Sequence, residues 1–540
     1  MPSFEASPEP RGAPLMPLEQ VVHRLVGTAW HVSLGLLIGI TVARLMRGRH
    51  LHWNWAAAAG LFAVLMRPAP ASLFSTVGVA AVGAAAWGRR WHREDIEAGC
   101  DLAEIAAGRR GPLDVLRSLS RGVPLATGGV RRRVRSSSGG ELVIGRDDEG
   151  RAVSIPFGGR GGGTHTLVVG ATGSGKTVTQ TWMAVRAIEH GTGVVVVDPK
   201  GDRGMREEIR RAGEGAGRVF IEWTPGGPSV YNPYARGSET EIADKALAGE
   251  RFTEPHYQRQ AQRYLGHVVR ALRRAGLEVS MAGIVEHMDP SRLEALVRRL
   301  PEADAEATHR YLDSLTGRQQ GELAGIRDRL AILSESDVGR WLDPHTAGAE
   351  RFDLLEAVRA RAVVYFNLES DSRPLLTQML GAAIVQDLQT TVAALQARPT
   401  STLVVIDEFS AVAAEQVVRL FGRARSAGFN LLLCTQELSD LRLPGRAQLL
   451  EQVMGNLSVL IAHRQVVPGS AGLIASLAGV RGAWRTTRHS DGRTTRTRIS
   501  EAVLDPSDVV GLEVGRAAVI VLAGGAGVRF ARVFSSREQR

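Results

Sequence analysis

One stretch, HTLVVGATGSGKTVT (165–179), restricts the possible folds more than any other in the chain. Gly170 to Thr177 fit the spacing G-x-x-x-x-G-K-[ST], with an apolar run before them and a helical pattern after them. The spacing predicts a strand, a tight glycine loop and a helix. Glycines let successive backbone N–H groups converge on phosphate oxygens without interference from Cβ atoms. The positive end of the following helix points at the same place. Gly170, Ala171, Thr172, Gly173, Ser174, Gly175, Lys176, Thr177 and Val178 are therefore the candidate phosphate-binding residues. Lys176 is expected to reach the β and γ phosphates, and Thr177 to offer its hydroxyl to Mg²⁺.

A second apolar run, TLVVIDEF (402–409), ends in two acids. At the C-terminal end of a buried strand, Asp407 would hold the metal shell and Glu408 would polarise an attacking water. Two acids together favour hydrolysis over a kinase-like transfer. FNLLLCTQ (429–436) ends in Gln436, which either senses the γ phosphate or caps its strand. Arg425, in GRARSAGF (422–429), lies just before that strand. An arginine delivered across a subunit boundary would stabilise transition-state charge, but 63 arginines leave Arg425 unremarkable by composition.

Lysine, by contrast, is rare: only Lys176, Lys200 and Lys245 occur. Lys200 sits in VVVVDPKGD (194–202). We expect Val194 to Val197 to form the strand beside the phosphate-loop strand, with Asp198 to Asp202 turning at the sheet edge where ligands collect. Asp198 and Lys200 are accordingly candidates for the nucleotide site or a subunit boundary. A lysine amine is a compact point charge that an arginine fork does not duplicate.

Strand, loop, helix and strand alternate from residue 164, as in a parallel α/β sheet. Residues 141–157 read as two short strands around a turn containing Asp147, Asp148 and Gly150. The alternation stops over 236–345. There Tyr257, Ala261, Tyr264, Leu265, Val268, Val269 and Leu272 recur at helical spacing, which predicts an all-α insertion. The alternation resumes with AVVYFNL (362–368), a helix from about 374 to 397, and TLVVIDEF. The expected organisation is a disordered N-terminus (1–22), a membrane anchor (23–92), a juxtamembrane connector (93–140), a first α/β segment (141–235), the helical insertion (236–345), and a second α/β segment with C-terminal strands (346–540).

The anchor rests on two apolar stretches. Leu25 to Val42 has no charged residue, and Trp53 to Trp87 is broken only near Arg67. About 20 apolar residues cross a bilayer, so the second stretch gives one span or two. Trp30, Trp53, Trp55, Trp87 and Trp91 flank these stretches as interfacial residues would, and arginines follow each. Positive flanks favour the cytoplasmic side. Three spans with the N-terminus outside fit best, and two spans are the alternative. The remainder would be cytoplasmic at an inner or plasma membrane. A net charge of +10 favours polyanionic partners. Cys100 and Cys434 have neither metal-ligand spacing nor a disulfide framework.

THTLVVGATGSGKT, VVVVDPKGD, VYNPYA (230–235), VVIDEF, GRARSAGFNLLLCTQ and MGNLSVLIAHR (454–464), in this order, resemble the type IV secretion coupling proteins, the TraD/TraG-like ATPases within the FtsK/HerA class of RecA-like motors. The resemblance implies a RecA-like ATPase domain interrupted by an all-α domain, a membrane anchor, and a homo-hexamer around a DNA channel. It implies ATP and Mg²⁺ as ligands, with DNA, a relaxase and secretion-channel components as partners. Carried over by motif, Lys176 and Thr177 hold nucleotide and metal, and Asp407 and Glu408 serve metal and water. Gln436 is then the coupling glutamine and Arg425 the trans-acting finger. The implied function is ATP-driven delivery of DNA, single-stranded with its relaxase, to a secretion channel. An effector-protein receptor and an FtsK-like double-stranded DNA translocase are the alternatives. The distance between Asp198 and Asp407 favours the coupling proteins over the latter. The arginine-rich run 481–498 is a candidate DNA contact, or else a solvated or lipid-facing surface.

Overall fold

The computed structural model describes residues 18–48, 71–97, 140–158, 162–250, 252, 254–370, 372–412, 414–442, 448–488, 494–522 and 527–536. The chain divides into two compact units. One holds residues 132–479 and 502–540; the other holds residues 1–131 with 480–501.

In the smaller unit, α1 (Leu18–Gly48) packs on α2 (Ala71–Glu97). The contact is close because it is made of small residues. A Cβ on Gly35 would lie 2.8 Å from the Thr76 carbonyl, and one on Gly39 would lie 2.7 Å from that of Ala80. Helices that meet without a hydrophobic driving force use such small-xxx-small spacing. Among the described residues only Val26–Leu45 is long and apolar enough to cross a bilayer. Part of the second expected span, and the connector over 98–139, fall outside the described residues. Helix α1 begins at Leu18, so residues 18–22 of the expected disordered N-terminus are helical.

The larger unit opens with the hairpin β1 (Glu141–Arg146) and β2 (Ala152–Pro156), then β3 (His165–Val169), α3 (Lys176–Glu189), β4 (Gly193–Asp198), α4 (Arg203–Gly215), β5 (Phe220–Trp223) and β6 (Ser229–Tyr231). Six helices follow: α5 (Glu239–Leu247), α6 (Pro255–Arg274), α7 (Met281–His287), α8 (Pro290–Val297), α9 (Glu302–Asp313) and α10 (Gly317–Ser334). Their starts are chemically marked. Ser238 and Thr316 form capping boxes with Glu241 and Gln319, and Asp289 caps α8. Helix α6 buries Ala261, Tyr264, Leu265, Val268, Val269 and Leu272 on one face, as their spacing predicts. These faces run on into the core beneath the sheet.

Strand β7 (Glu350–Phe352) then pairs in parallel with β6, so two short strands join across the helical stretch. The α/β rhythm continues with α11 (Leu354–Arg359), β8 (Val363–Asn367), α12 (Pro374–Ala394), β9 (Thr402–Ile406), α13 (Phe409–Val412), α14 (Ala414–Ala424), β10 (Phe429–Thr435), α15 (Leu449–Asn456), β11 (Val459–Ala462) and α16 (Pro468–Ala478). After the ribbon β12 (Val480–Arg488) and β13 (Thr494–Ala502), which belongs to the other unit, come α17 (Pro506–Val510), β14 (Arg516–Val521) and β15 (Gly527–Val533).

The main sheet runs β2-β1-β15-β14-β11-β3-β10-β9-β4-β8-β5. Strands β11 to β5 in that order are parallel, and β14, β15, β1 and β2 extend them antiparallel. The inner strands are buried throughout because helices cover both faces, which is why they read as unbroken apolar runs. Val194 and Val196 face α3 and α4, while Val195 and Val197 face the core shared with the helical stretch. The sequence expectation that β4 lies beside the phosphate-loop strand is not met: β4 lies between β9 and β8, and β3 lies between β10 and β11. Apolar runs of equal quality carry no information on strand order.

Candidate active site

The C-terminal ends of β3, β4, β9 and β10 lie along one edge of the sheet. Val169 is level with Thr435, and Ile406 is level with both Leu433 and Val197. Each strand delivers its motif there. After β3 the chain turns sharply, with Gly173 and Gly175 at φ +75° and +113°. Gly170 is required by crowding, since a Cβ there would lie 2.6 Å from that of His463. Helix α3 starts at Lys176, whose ammonium donates to the Gly170 carbonyl. Burial draws this ammonium below its ordinary range, and the charge of Glu408 opposes the shift.

The phosphate loop is braced from behind by the C-terminal strands. Gly515 N–H donates to the Ser174 carbonyl (3.1 Å), and Ala171 N–H donates to the Arg464 carbonyl (2.9 Å). His463 joins Thr179 Oγ1 through Nε2 (2.8 Å) and the Arg516 carbonyl through Nδ1 (3.0 Å). Burial pushes His463 down to about 4, so it is neutral at pH 7.

Asp407 and Glu408 follow β9. Both are buried, and among the described residues Asp407 Oδ1 has no hydrogen-bond partner. Burial, then the charges of Glu408 and Asp198, raises the Asp407 carboxyl to about 6. A buried carboxylate with an orphaned oxygen is a donor that suits a hard divalent cation. Glu408 has a left-handed backbone, φ +44°, a conformation few residues of its kind adopt. Its Oε1 accepts from Lys200 Nζ (2.6 Å) and from Gln436 Nε2 (2.9 Å). Gln436 Oε1 in turn accepts from Thr172 Oγ1 (3.1 Å), which links the end of β10 to the phosphate loop. The structure thus brings Lys176, Thr177, Asp407, Glu408, Gln436 and Lys200 to one strand edge.

Two other expected site residues have different surroundings. Asp198 is fully buried, and its carboxylate accepts from the N–H groups of Lys200 and Gly201 (both 2.9 Å) and Asp202 (2.7 Å), and from Tyr365 Oη (2.5 Å). It organises its own turn and has no oxygen left to offer a ligand. Arg425 lies at the start of the strands, where its carbonyl accepts from Gly163 N–H (3.0 Å). A strand of five residues separates it from the phosphate loop, about 16 Å at 3.3 Å per residue. It cannot serve the phosphates held by its own chain. Sequence reasoning missed His463, Tyr365 and Gln465, whose Nε2 donates to the Gln436 carbonyl (3.2 Å). A lone polar residue in or just after a strand carries no signal until the strand order is known.

A family model for the helicase HerA central domain matches residues 149–336, and one for the TraM recognition site of TraD and TraG matches residues 401–513. Type 4 coupling protein DotL of Legionella pneumophila is 29% identical over 100 residues, spanning 16% of this chain and 13% of DotL. Unbound bacterial conjugative coupling protein TrwB lacking its N-terminal segment superposes with a TM-score of 0.53 at 18% identity, over 68% of this chain and 84% of that one. TrwB in complex with ADP and Mg²⁺ gives 0.52 at 17%, over 69% and 86%. VirB4 of Thermoanaerobacter pseudethanolicus gives 0.50 at 15%, over 75% and 99%. A HerA-type central region followed by a TraD/TraG-type C-terminal region on a TrwB-like fold makes the chain similar to the type IV secretion coupling proteins.

Proposed function

We propose that this chain is a type IV secretion coupling protein, a membrane-anchored, hexameric ATPase that drives DNA, or DNA with a bound protein, toward a secretion channel. The observation that carries the proposal is the convergence at one strand edge of a glycine phosphate loop, two buried acids and a glutamine bonded to one of them. Solved TrwB complexes contain ADP with Mg²⁺ and non-hydrolysable triphosphate analogues, which supports ATP and Mg²⁺ as the ligands of this site. Helix α1 supplies the anchor, with α2 as its packing partner. The helical stretch 236–345 acts as the insertion domain of the motor.

The loop N–H groups and Lys176 bind the β and γ phosphates, for which Lys176 exchanges its bond to Gly170. Thr177 and Asp407 would hold Mg²⁺, which when bound would withdraw charge from the phosphate oxygens. Glu408 orients the attacking water and takes its proton. Gln436, bonded to both Glu408 and the phosphate loop, couples the state of the nucleotide to the end of β10. Arg425, remote from its own phosphate loop, acts on the site of the neighbouring subunit. The ribbon β12–β13, with Arg481, Arg485, Arg496 and Arg498, contacts the phosphate backbone.

The deciding experiment is steady-state ATPase of the full chain with single-stranded DNA, double-stranded DNA and none. Stimulation by single strands, lost as salt rises, is expected. Stimulation only by duplex would favour an FtsK-like translocase. Turnover indifferent to DNA would favour an effector-protein receptor, and absence of turnover would overturn the ATPase assignment.

A further inference from the structure

Lys200 is fixed at both ends. Its N–H donates to Asp198 Oδ1 (2.9 Å), and its Nζ donates to Glu408 Oε1 (2.6 Å). The turn that carries it is held tightly: Gly201 has φ +74° and sits so close to Asn367 that a Cβ would lie 2.5 Å from the Asn367 amide oxygen. The side chain is nonetheless 47% exposed, so its amine is placed by contact with Glu408 rather than by enclosure. Gln436 donates to the same oxygen, Oε1, at 2.9 Å. Among the described residues no hydrogen-bond donor reaches Oε2. Two donors on one oxygen, above a backbone held at φ +44°, leave the carboxylate one orientation and one free oxygen.

We propose that Lys200 is a positioning residue for hydrolysis: with Gln436 it holds Oε1 of Glu408 so that Oε2 faces the attacking water. The inference rests on the ATPase reading above. In the step, a water O–H bond breaks and its proton passes to Oε2. The water oxygen forms a bond to the γ phosphorus. The bond from that phosphorus to the bridging oxygen breaks, and its electron pair leaves on ADP. Lys200 touches neither phosphate nor water in this scheme, which separates it from Lys176. It also replaces the sequence expectation that Lys200 is a nucleotide ligand with a role exerted through Glu408.

The test compares wild type, Lys200→Ala, Lys200→Arg, Glu408→Gln and the Lys200→Ala/Glu408→Gln double variant in the full chain. It reads single-turnover rate, kcat, KM, affinity for a fluorescent ATP analogue with Mg²⁺, and melting temperature. Misplacing a catalytic group by about 1 Å can cost roughly 100-fold. Lys200→Ala should therefore lower kcat by about 10- to 100-fold, with KM and analogue affinity changed by less than about 3-fold. Lys200→Arg should recover part of the loss, because it keeps a charged donor in a different geometry. In the Glu408→Gln background, Lys200→Ala should cost nothing more, since there is no base left to orient. Weakened analogue binding with kcat retained would make Lys200 a phosphate ligand and overturn the proposal, as would an additive loss in the double variant. An unaltered Lys200→Ala enzyme would sink this inference alone. A wild type without turnover would sink it together with the ATPase reading.

Discussion

Two lysine–carboxylate pairs in this molecule have the same length and opposite surroundings. Lys200 meets Glu408 at 2.6 Å with a side chain 47% exposed, and Lys245 meets Asp387 at 2.6 Å with a side chain fully buried. The buried pair is saturated. Lys245 also donates to the carbonyls of Pro233 (2.9 Å) and Arg236 (2.7 Å), and Asp387 Oδ2 accepts from Tyr231 Oη (2.7 Å). These bonds tie α5 and the turn after β6 to α12, where the helical stretch leaves the sheet. The pair at the site is unsaturated among the described residues: both donors to Glu408 fall on Oε1, and the neighbouring Asp407 has an orphaned oxygen. Contact distance does not distinguish a rivet from a working part, but the number of unused lone pairs does.

That contrast is broken most severely at Lys245. Removing one partner of a buried pair leaves an uncompensated charge, at a cost of about 3–5 kcal/mol. Lys245→Met should lower thermal stability by that amount, and Lys245→Met/Asp387→Leu should recover much of it. A Lys245→Met protein melting within a degree of wild type would show that the pair is no rivet. Glu408→Gln should do the reverse. Loss of a general base costs roughly 10²–10⁴-fold in turnover, while nucleotide binding and melting temperature stay near wild type.

The sequence made the strand-edge chemistry readable because phosphate binding leaves a contiguous signature. The glycines, Lys176 and Thr177 sit within eight positions, and an acid pair after an apolar run is nearly as compact. The alternation of strand and helix, and the buried face of α6, are legible from periodicity for the same local reason. What was hidden is long-range. Lys200 and Glu408 are 208 positions apart, and Lys245 and Asp387 are 142 apart. Nothing local marks either as a pair. The place of β4 is not legible because β4, β9 and β8 are equally apolar, so their order follows from helix packing and loop reach. Asp198 looks like a ligand in the sequence because a strand-end acid reads alike whether it faces a phosphate or its own turn. Scarcity of lysine was the one compositional clue that pointed beyond local pattern: all three lysines meet buried polar groups.

The unsaturated site should also show in the pH dependence of stability. Asp407 has its carboxyl raised from an ordinary value of 3.8 to about 6. The folded state therefore holds this proton more tightly than the unfolded chain does. The associated stability is fully present below about pH 4 and is lost as pH rises through about 6. Asp407→Asn keeps the shape and removes the charge. Without nucleotide or Mg²⁺, it should be more stable than wild type at pH 7.5, on the order of 3 kcal/mol, with the difference vanishing near pH 4. A difference that persists at low pH would mean that packing, not ionisation, is responsible.

The smallest effect is expected where the two pairs are compared most directly. Lys200→Met removes the same type of partner as Lys245→Met, from a contact of the same length. Half-exposed ion pairs are screened by water and contribute about 0–1 kcal/mol, and Glu408 keeps its bond to Gln436. Denaturant unfolding of the nucleotide-free protein should accordingly place Lys200→Met within about 1 kcal/mol of wild type, several-fold less than Lys245→Met. An equal loss in the two variants would erase the distinction, because it would give the DPKGD turn a share in folding that its exposure does not predict. A small loss of stability joined to a large loss of turnover would place Lys200 on the working side of the comparison.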